Sequence, residues 1–318
     1  MKLNKQCLYC YKQLPDKTDS DFHAHCSETF FGTKEPPELD YSFDDMAVLA
    51  EQVVQRSIAV PGVQPKLSLS LVKTTMAKGV HNRLTVVGAL GGNYIFKPPS
   101  EYFPEMPQNE HLTMRMAEVF GIPVVPSSLI RLKSGELCYL TRRIDRTATG
   151  GKIHMLDMFQ LLEAVDKYKS SMERVGKGID TFSDNTLLDK LYFFEIAIFS
   201  FLTGNNDMHL KNFSLIHDNG TWQLSPAYDL LNVTLANPAD TEELALTLEG
   251  KKKNLGRLHF ERLGAGLELN QRQITATMRR FERNQPVVFQ WIDNSFLSED
   301  FKVQYKNLLK QRYVVLAK

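Results

Sequence analysis

Three polar residues stand at a spacing that could hold a metal ion and move a proton. Asp207 is followed five positions later by Asn212, and Asp229 lies beyond a stretch typical of two short strands. An aspartate base, an asparagine and a later aspartate are arranged in this way in kinases, around ATP. In that chemistry Asp207 would accept the proton of an attacking hydroxyl, and Asn212 and Asp229 would bind Mg²⁺. Each residue alone could instead simply cap a turn or a helix.

Two predicted elements would position these residues. The segment from Leu187 to Leu202 is almost wholly apolar, which predicts a buried helix that ends at Gly204. Residues 213–225 alternate in polarity around the turn Asn219-Gly220, which predicts a β-hairpin. The hairpin would bring Asp229 back beside the loop that carries the other two residues.

A lysine further upstream is a candidate for binding phosphate. Lys97 follows Ile95 and Phe96 in a predicted strand, where an ammonium is costly to bury unless an anion meets it. Glu110 lies in the first turn of a helix predicted from Pro107 to Gly121, and it could pair with Lys97 as in kinases. The alternatives are a surface lysine at a strand end and a glutamate that only complements the helix dipole.

The longer motifs resemble one kinase family. Residues 206–214 and 224–230 resemble the catalytic core of the HipA-type serine/threonine kinase toxins, whose fold is similar to the phosphoinositide-kinase branch of kinase-like folds. Residues 61–67 resemble the family's phosphate loop, residues 93–98 its nucleotide-lysine strand, and residues 140–146 its hinge between lobes. The resemblance extends from about residue 50 to the end of the sequence.

The resemblance implies an α/β (α+β), two-lobe, protein-kinase-like fold that uses ATP and Mg²⁺. Residues 27–143 would form a strand-rich N-lobe, and residues 144–318 a mainly helical C-lobe. Asp207 would be the catalytic base, with Asn212 and Asp229 as Mg²⁺ ligands. The residues implied to bind the cofactor are Val63, Gln64, Lys66, Lys97, Glu110, Arg142, Arg143, Ile144, His209, Asn212 and Asp229.

The phosphate loop carries a single glycine, Gly62, so the generic Gly-x-Gly-x-x-Gly signal is absent. Backbone N–H groups near Val63 and Gln64 and the cation of Lys66 would bind phosphate instead. In the family, a serine before this loop is autophosphorylated, and Ser57 is the matching hydroxyl. Shorter relatives read Ser-Ile-Ser where this chain reads Ser57-Ile58-Ala59, and the sequence leaves open whether Ala59 is natural or engineered.

The resemblance also implies a biological role. The expected activity is that of a serine/threonine kinase, the toxin of a toxin–antitoxin pair, which phosphorylates an aminoacyl-tRNA synthetase. The alternatives are a catalytically silent kinase-fold binding module and a small-molecule kinase, since a fold does not fix a substrate. The intact set of Lys97, Asp207, Asn212 and Asp229 favours an active kinase.

The short N-terminal part of the sequence predicts which partner proteins the chain has. Only about 30 residues precede the phosphate loop after residue 26, too few for the N-terminal subdomain of the long HipA proteins. The chain therefore resembles the shorter HipT type of a three-component system. That type implies a HipS-like small protein equivalent to the missing subdomain, and a HipB-like helix-turn-helix antitoxin. DNA would be bound only indirectly, through the antitoxin.

A cluster of cysteine and histidine occupies residues 1–26. Cys7 and Cys10 are spaced Cys-x2-Cys, and His23 and Cys26 are spaced His-x2-Cys, as in a structural zinc knuckle. His23 fits the spacing better than His25. The alternative, reduced thiols without metal, stays open, because Cys138 shows that the chain also places cysteine in a strand.

Composition indicates a globular enzyme. The 318 residues are 43% hydrophobic, enough for a sizeable core, and the net charge of +1 does not favour direct binding to nucleic acid. Glu195 interrupts the strongest apolar run, and the N-terminus lacks the apolar core of a signal peptide. We therefore expect a cytoplasmic protein that does not associate with membranes.

Overall fold

The structure is a computed structural model that describes residues 5–16, 18–46, 48–49, 66–76, 79–87, 91–100, 102–147 and 149–318. Ser57, Ala59, Val63 and Gln64 lie outside the described residues. The chain divides into two compact units made of interleaved segments. The first comprises Met1–His111, Val125–Gly151 and Asn294–Phe296, and the second comprises Leu112–Val124, Lys152–Asp293 and Leu297–Lys318. The predicted boundary at residue 143 falls inside the first unit.

The first unit is built on an antiparallel sheet in the order β2-β1-β3-β5-β4. Its strands are β1 (Leu67–Met76), β2 (Gly79–Val87), β3 (Tyr94–Lys97), β4 (Ser127–Arg131) and β5 (Leu137–Arg142). Helix α1 (Ala24–Phe31) lies in this unit, and helix α2 (Met106–Val119) begins in it. The central strand β3 pairs Phe96 with Leu67 on one side and with Leu140 on the other, which buries its apolar side chains.

The second unit is mainly helical and contains one small sheet in the order β6-β7-β8. Its strands are β6 (Met155–Asp157), β7 (Ser214–Asp218) and β8 (Thr221–Leu224). The hairpin β7–β8, with Asn219 and Gly220 at positive φ, confirms the prediction from the turn residues. The helices are α3 (Met158–Leu161), α4 (Met172–Phe182), α5 (Thr186–Thr203), α6 (Val233–Ala236), α7 (Arg257–Gly266), α8 (Gln271–Arg283), α9 (Gln285–Asp293) and α10 (Glu299–Ala317).

Helix α5 is the buried centre of the second unit and confirms the helix predicted from the apolar run. It ends at Gly204, whose φ of 67° is left-handed and whose N–H binds the carbonyls of Ser200 and Phe201. Asp189 in its first turn anchors the small sheet, since its Oδ2 accepts the N–H of Leu224 at 2.6 Å. Burial raises the pKa of Asp189 although its hydrogen bonds oppose this.

Across the part of the chain that the structure describes, no helix is both long and apolar enough to cross a membrane.

Candidate active site

In the first unit, a buried ion pair joins the predicted phosphate-binding lysine to a helix. Lys97 closes strand β3, and its Nζ lies 2.6 Å from Oε1 of Glu110 on α2. Both side chains are almost fully buried, and the ammonium also lies 5.3 Å from the ring centre of Tyr139. The predicted pair of Lys97 and Glu110 is therefore present, and it compensates the cost of burying either charge alone.

The predicted hinge residues lie at the end of β5 and directly after it, and their side chains contact different groups. Arg142 donates from its guanidinium to the carbonyls of Thr29 and Phe30 at the end of α1. Arg143 forms a bidentate pair with Asp145, at 2.9 and 2.7 Å. Burial raises the pKa of Asp145, but Arg143 and Arg146 outweigh it, so that this pKa lies below its ordinary value. Ile144 is half-buried in the following turn, and Lys66 is exposed before β1.

In the second unit, the end of α5 fixes the start of the loop that carries Asp207. The carbonyl of Gly204 accepts the N–H groups of Val233 and Thr234, at 3.0 and 3.1 Å, so the loop is tied to the first turn of α6. Phe213, which follows the loop, packs edge-to-face on Phe193 of α5 with ring centres 5.3 Å apart. Both ends of the loop thus rest on the same buried core.

The side chain of Asn212 is oriented by the loop itself. Its Nδ2 donates to the backbone carbonyl of Asp207 at 2.8 Å, and the residue is only 8% exposed. Because a carbonyl can only accept, this bond assigns the amide nitrogen to Asp207 and leaves Oδ1 as the oxygen available to a cation. An amide oxygen of this kind is a ligand that Mg²⁺ accepts.

Asp229 is held beside the loop through its neighbour Tyr228. The Tyr228 hydroxyl donates to the carbonyl of Lys211 at 2.9 Å, directly before Asn212, and accepts from Ser214 at 2.5 Å. Asp229 has a left-handed φ of 54°, a conformation that aspartate tolerates better than most residues. The predicted Mg²⁺ ligands therefore lie in segments joined by one half-buried tyrosine.

The candidate base Asp207 is half-buried, and one of its oxygens is engaged. The hydroxyl of Tyr168 donates to Oδ1 of Asp207 at 2.7 Å. Burial first, and then the Asp207 carboxylate, raise the pKa of Tyr168 above its ordinary value, so the phenol stays protonated and remains the donor. Oδ2 is left as the oxygen that can accept a proton from a substrate hydroxyl.

His209, in the same loop, is buried and neutral. Its Nε2 lies 2.9 Å from Nζ of Lys167, and an ammonium can only donate, so Nε2 accepts and Nδ1 carries the proton. Burial lowers the pKa of His209 to about 4; Asp207 opposes this shift and the charge of Lys167 adds to it. Within the described residues, Nδ1 has no hydrogen-bond partner. A buried N–H donor of this kind suits an anionic group such as a phosphate.

Sequence reasoning missed Lys167 and Tyr168. They lie in a loop between α3 and α4 with neither helical nor strand periodicity, and they meet the catalytic loop only through the tertiary fold. The edge-to-face packing of Tyr168 on His209, with ring centres 5.1 Å apart, is equally invisible in the sequence. Tyr228 was part of a recognised motif, but the motif carried no role for its hydroxyl.

The comparisons with known proteins agree on one family. Residues 58–288, more than two-thirds of the chain, match the family described as HipA-like C-terminal domain. A putative kinase of Haemophilus influenzae is 30% identical over 212 residues, which cover 62% of this chain and 59% of that protein. A putative kinase of Sinorhizobium fredii is 31% identical over 275 residues, covering 80% of this chain and 63% of that protein.

A relative with a more specific name has a lower sequence identity. The serine/threonine-protein kinase toxin HipA of Shewanella oneidensis is 25% identical over 240 residues, covering 64% of this chain and 53% of that protein. The chain thus spans between 53% and 63% of the length of these curated relatives.

Two solved structures establish the fold. One is the complex of S. oneidensis HipA with HipB and operator DNA, which matches with a TM-score of 0.65 at 23% identity, covering 83% of this chain and 70% of that chain. The other is the Helicobacter pylori proinflammatory kinase CtkA, with a TM-score of 0.54 at 17% identity, covering 79% of this chain and 94% of that chain. The mixed helix and strand fold of this protein is therefore that of the HipA and CtkA kinases.

Proposed function

Because the chain belongs to the family of the HipA-like C-terminal domain, we propose that it is an ATP-dependent serine/threonine protein kinase and the toxin of a toxin–antitoxin system. The observation that carries the proposal is the loop in which Asn212 is locked to the carbonyl of Asp207 at 2.8 Å while the Asp207 carboxylate stays half-exposed. This arrangement separates a metal-binding amide oxygen from a proton-accepting carboxylate within one short turn.

Each residue has one task in the proposed reaction. ATP would supply the phosphoryl group and Mg²⁺ would neutralise its charge. Oδ2 of Asp207 accepts the proton of the serine or threonine hydroxyl. Oδ1 of Asn212 and the carboxylate of Asp229 would hold the cation. In the first unit, the buried ammonium of Lys97, oriented by Glu110, would bind phosphate oxygens; in the second unit, Nδ1–H of His209 would be a donor for an anionic group.

The protein substrate and the regulation rest on the family. An aminoacyl-tRNA synthetase is the proposed substrate, and Ser57 is the proposed autophosphorylation site. Phosphate at Ser57 would bring about −1.5 to −2 charge next to a loop that must itself bind phosphate, which would weaken ATP binding. Peptide mapping after incubation with Mg²⁺ and ATP tests this, with Ser57→Ala as the variant that does not inactivate itself.

The proposed partners are a HipB-like antitoxin and a HipS-like small protein. The solved structure of S. oneidensis HipA contains HipB and operator DNA, which supports a HipB-like partner for this chain. The HipS-like small protein is proposed from the resemblance of the sequence to the shorter HipT type. Co-expression of the chain with each neighbouring open reading frame, followed by affinity purification, would test both.

Replacing either aspartate tests the catalytic assignment. Asp207→Asn and Asp229→Asn should each lower phosphoryl transfer by about a hundredfold or more, because they remove a base or a charged metal ligand. Asparagine keeps the left-handed backbone at residue 229, so the melting temperature should stay near that of the wild type. The measurement is incorporation of labelled phosphate into proteins of a lysate.

Asp218→Asn is the matched control, since Asp218 is exposed in the hairpin between the two sites and should leave activity unchanged. Wild-type transfer by Asp207→Asn would refute the assigned base. Mass spectrometry of the labelled proteins identifies the substrate.

A further inference from the structure

Four potential metal ligands converge at the N-terminal end of the first unit. The ligand atoms of Cys7, Cys10, His23 and Cys26 all lie within 4.8 Å of one another. Nδ1 of His23 is 3.5 Å from Sγ of Cys10 and 3.9 Å from Sγ of Cys26. With Zn–S bonds of about 2.3 Å and Zn–N bonds of about 2.0 Å, a tetrahedral site has S···N edges of about 3.5 Å. The distance to Cys10 matches that edge, and the distance to Cys26 is longer by about 0.4 Å.

The tautomer of His23 is set by a bond outside the cluster. Nε2 of His23 lies 3.0 Å from the backbone carbonyl of Gln13. A carbonyl only accepts, so Nε2 carries the proton and the lone pair of Nδ1 points to the two sulfur atoms. A metal-bound histidine typically shows this second hydrogen bond, which fixes its ring. His25 is exposed and stacks on His23, and its Nε2 lies 3.3 Å from Sγ of Cys26.

Two tight turns present the four ligands. Between Cys7 and Cys10 the chain reverses, and the N–H of Tyr11 binds the carbonyl of Cys7 at 2.9 Å. Tyr11 has a left-handed φ of 62°, a conformation that costs a non-glycine residue free energy unless its surroundings impose it. The second turn is the start of α1, where His23 is the N-cap and Cys26 lies in the first helical turn.

We propose that Cys7, Cys10, His23 and Cys26 form a closed, structural Zn²⁺ site. Three thiolates and one neutral imidazole are the donor set of a structural zinc centre, and binding releases the thiol protons. All four coordination positions are filled by the protein, so no position remains for water and the metal has no catalytic role. The site is independent of the proposed kinase reaction.

The metal would cross-link a segment that docks on the main sheet. Ring centres of Phe30 and Tyr94, on α1 and β3, are 5.9 Å apart. Asp21 pairs with Arg131 of β4 at 3.2 Å, and the N–H of Leu129 binds the carbonyl of Leu8 at 3.4 Å. Zinc binding therefore holds residues 5–31 in the form that packs on the sheet whose central strand ends in Lys97.

Elemental analysis of the full chain, purified without added metal, should find about one Zn per chain. Cys10→Ser and His23→Gln should each lose it. Cobalt added to the chelated protein should give the intense visible bands of a tetrahedral thiolate site. Chelation should lower the melting temperature by roughly 5–10 °C, and Zn²⁺ should restore it.

Two variants control for the loss of a thiol or an imidazole. Cys138→Ala removes a buried cysteine of the same unit outside the cluster, and His25→Gln removes the neighbouring ring. Both should keep the metal. Wild-type protein that binds neither zinc nor cobalt, with a melting temperature unaffected by chelator and by Zn²⁺, overturns the proposal. Retention of metal in His23→Gln together with its loss in His25→Gln overturns the assignment of the fourth ligand.

Discussion

At the residue scale, two hydrogen bonds constrain the position of Asp207 in the candidate site. Tyr168 holds Oδ1, and the backbone carbonyl of the same residue accepts the amide of Asn212. A carboxylate whose first oxygen is fixed presents its second oxygen in one orientation. Such positioning matters because small misplacements of a catalytic group can lower the rate strongly.

Tyr168→Phe should lower kcat by about threefold to tenfold, because the ring stays and only the hydrogen bond to Asp207 is lost. The KM for ATP should change little, since the phenylalanine ring keeps the packing on His209 and only the bond to Asp207 is lost. Steady-state kinetics with varied ATP and varied protein substrate separates the two constants. An increase in kcat would mean that the phenol blocks the base rather than orients it.

His209→Gln should change how stability depends on pH. In the folded protein the pKa of His209 is about 4, whereas an ordinary histidine has about 6.5. Between these values the unfolded chain binds a proton that the folded chain does not, so stability falls as the pH falls from about 6.5 to 4. The loss from this residue should be on the order of a few kcal/mol.

Glutamine can still accept a hydrogen bond from Lys167 but does not titrate. The unfolding free energy of His209→Gln should therefore vary less with pH than that of the wild type over that window. Urea unfolding of both proteins at several pH values measures the difference. His154→Gln, at an exposed histidine, provides the control. Parallel profiles for the wild type and His209→Gln would contradict the buried, neutral state of His209.

At the element scale, the end of α5 decides where the catalytic loop begins. A Cβ added at Gly204 would lie 2.7 Å from Cδ2 of Leu308 and 2.8 Å from Oγ1 of Thr234, in a left-handed conformation. Gly220, in the β7–β8 turn, has a similar φ of 83° but open space around it. Alanine substitutions at the two glycines therefore separate the free-energy cost of backbone strain from that of steric crowding.

Gly220→Ala should cost about 1–2 kcal/mol of unfolding free energy from backbone strain alone. Gly204→Ala should cost that amount plus about 1–3 kcal/mol from overpacking, and it should also lower kinase activity by displacing the loop. Chemical denaturation and activity assays of both variants make the comparison. Equal costs at the two positions would show that the core around Gly204 relaxes freely.

Elements with a local signal could be predicted from the sequence, and contacts set by the fold could not. The continuous apolar run of α5 and the Asn219-Gly220 turn each specify their element within a few residues. Lys97 and Glu110 were paired by a motif. Tyr168 has no such signal, because its partner Asp207 is 39 positions away and only packing brings the two together.

At the scale of the whole molecule, charge sets what the chain can bind unaided. The sequence contains 38 basic and 37 acidic residues, a net charge of +1. Strong binding to DNA without sequence recognition depends on many lysine or arginine contacts to phosphates. The near balance of charge therefore does not favour direct DNA binding by this chain, and the proposed antitoxin would supply the DNA contacts.

The purified chain alone should bind double-stranded DNA weakly at physiological salt, and addition of the proposed antitoxin should produce tight binding. Fluorescence anisotropy over a series of salt concentrations measures both. Tight binding by the isolated chain, with a steep salt dependence, would place the DNA contacts on this protein.

The interleaved segments of the two units also lay beyond sequence reasoning. Residues 294–296 belong to the first unit although the chain on either side belongs to the second. Tyr11 packs on Phe296 with ring centres 5.2 Å apart, so the first unit contains a contact between residues far apart in the sequence. Local sequence patterns predict elements in chain order. They carry no information on which later segment packs against an earlier unit.

The two proposed metal ligands are an amide, at Asn212, and a carboxylate, at Asp229. This ligand set has a consequence for how the protein would bind Mg²⁺. Together these two ligands offer a single negative charge, and Mg²⁺ gives up its water reluctantly without stronger compensation. The free protein should therefore bind Mg²⁺ only weakly, with the remaining charge supplied by the triphosphate. Nucleotide and cation then enter as one complex, and free Mg²⁺ above the ATP concentration should bring little further gain in rate.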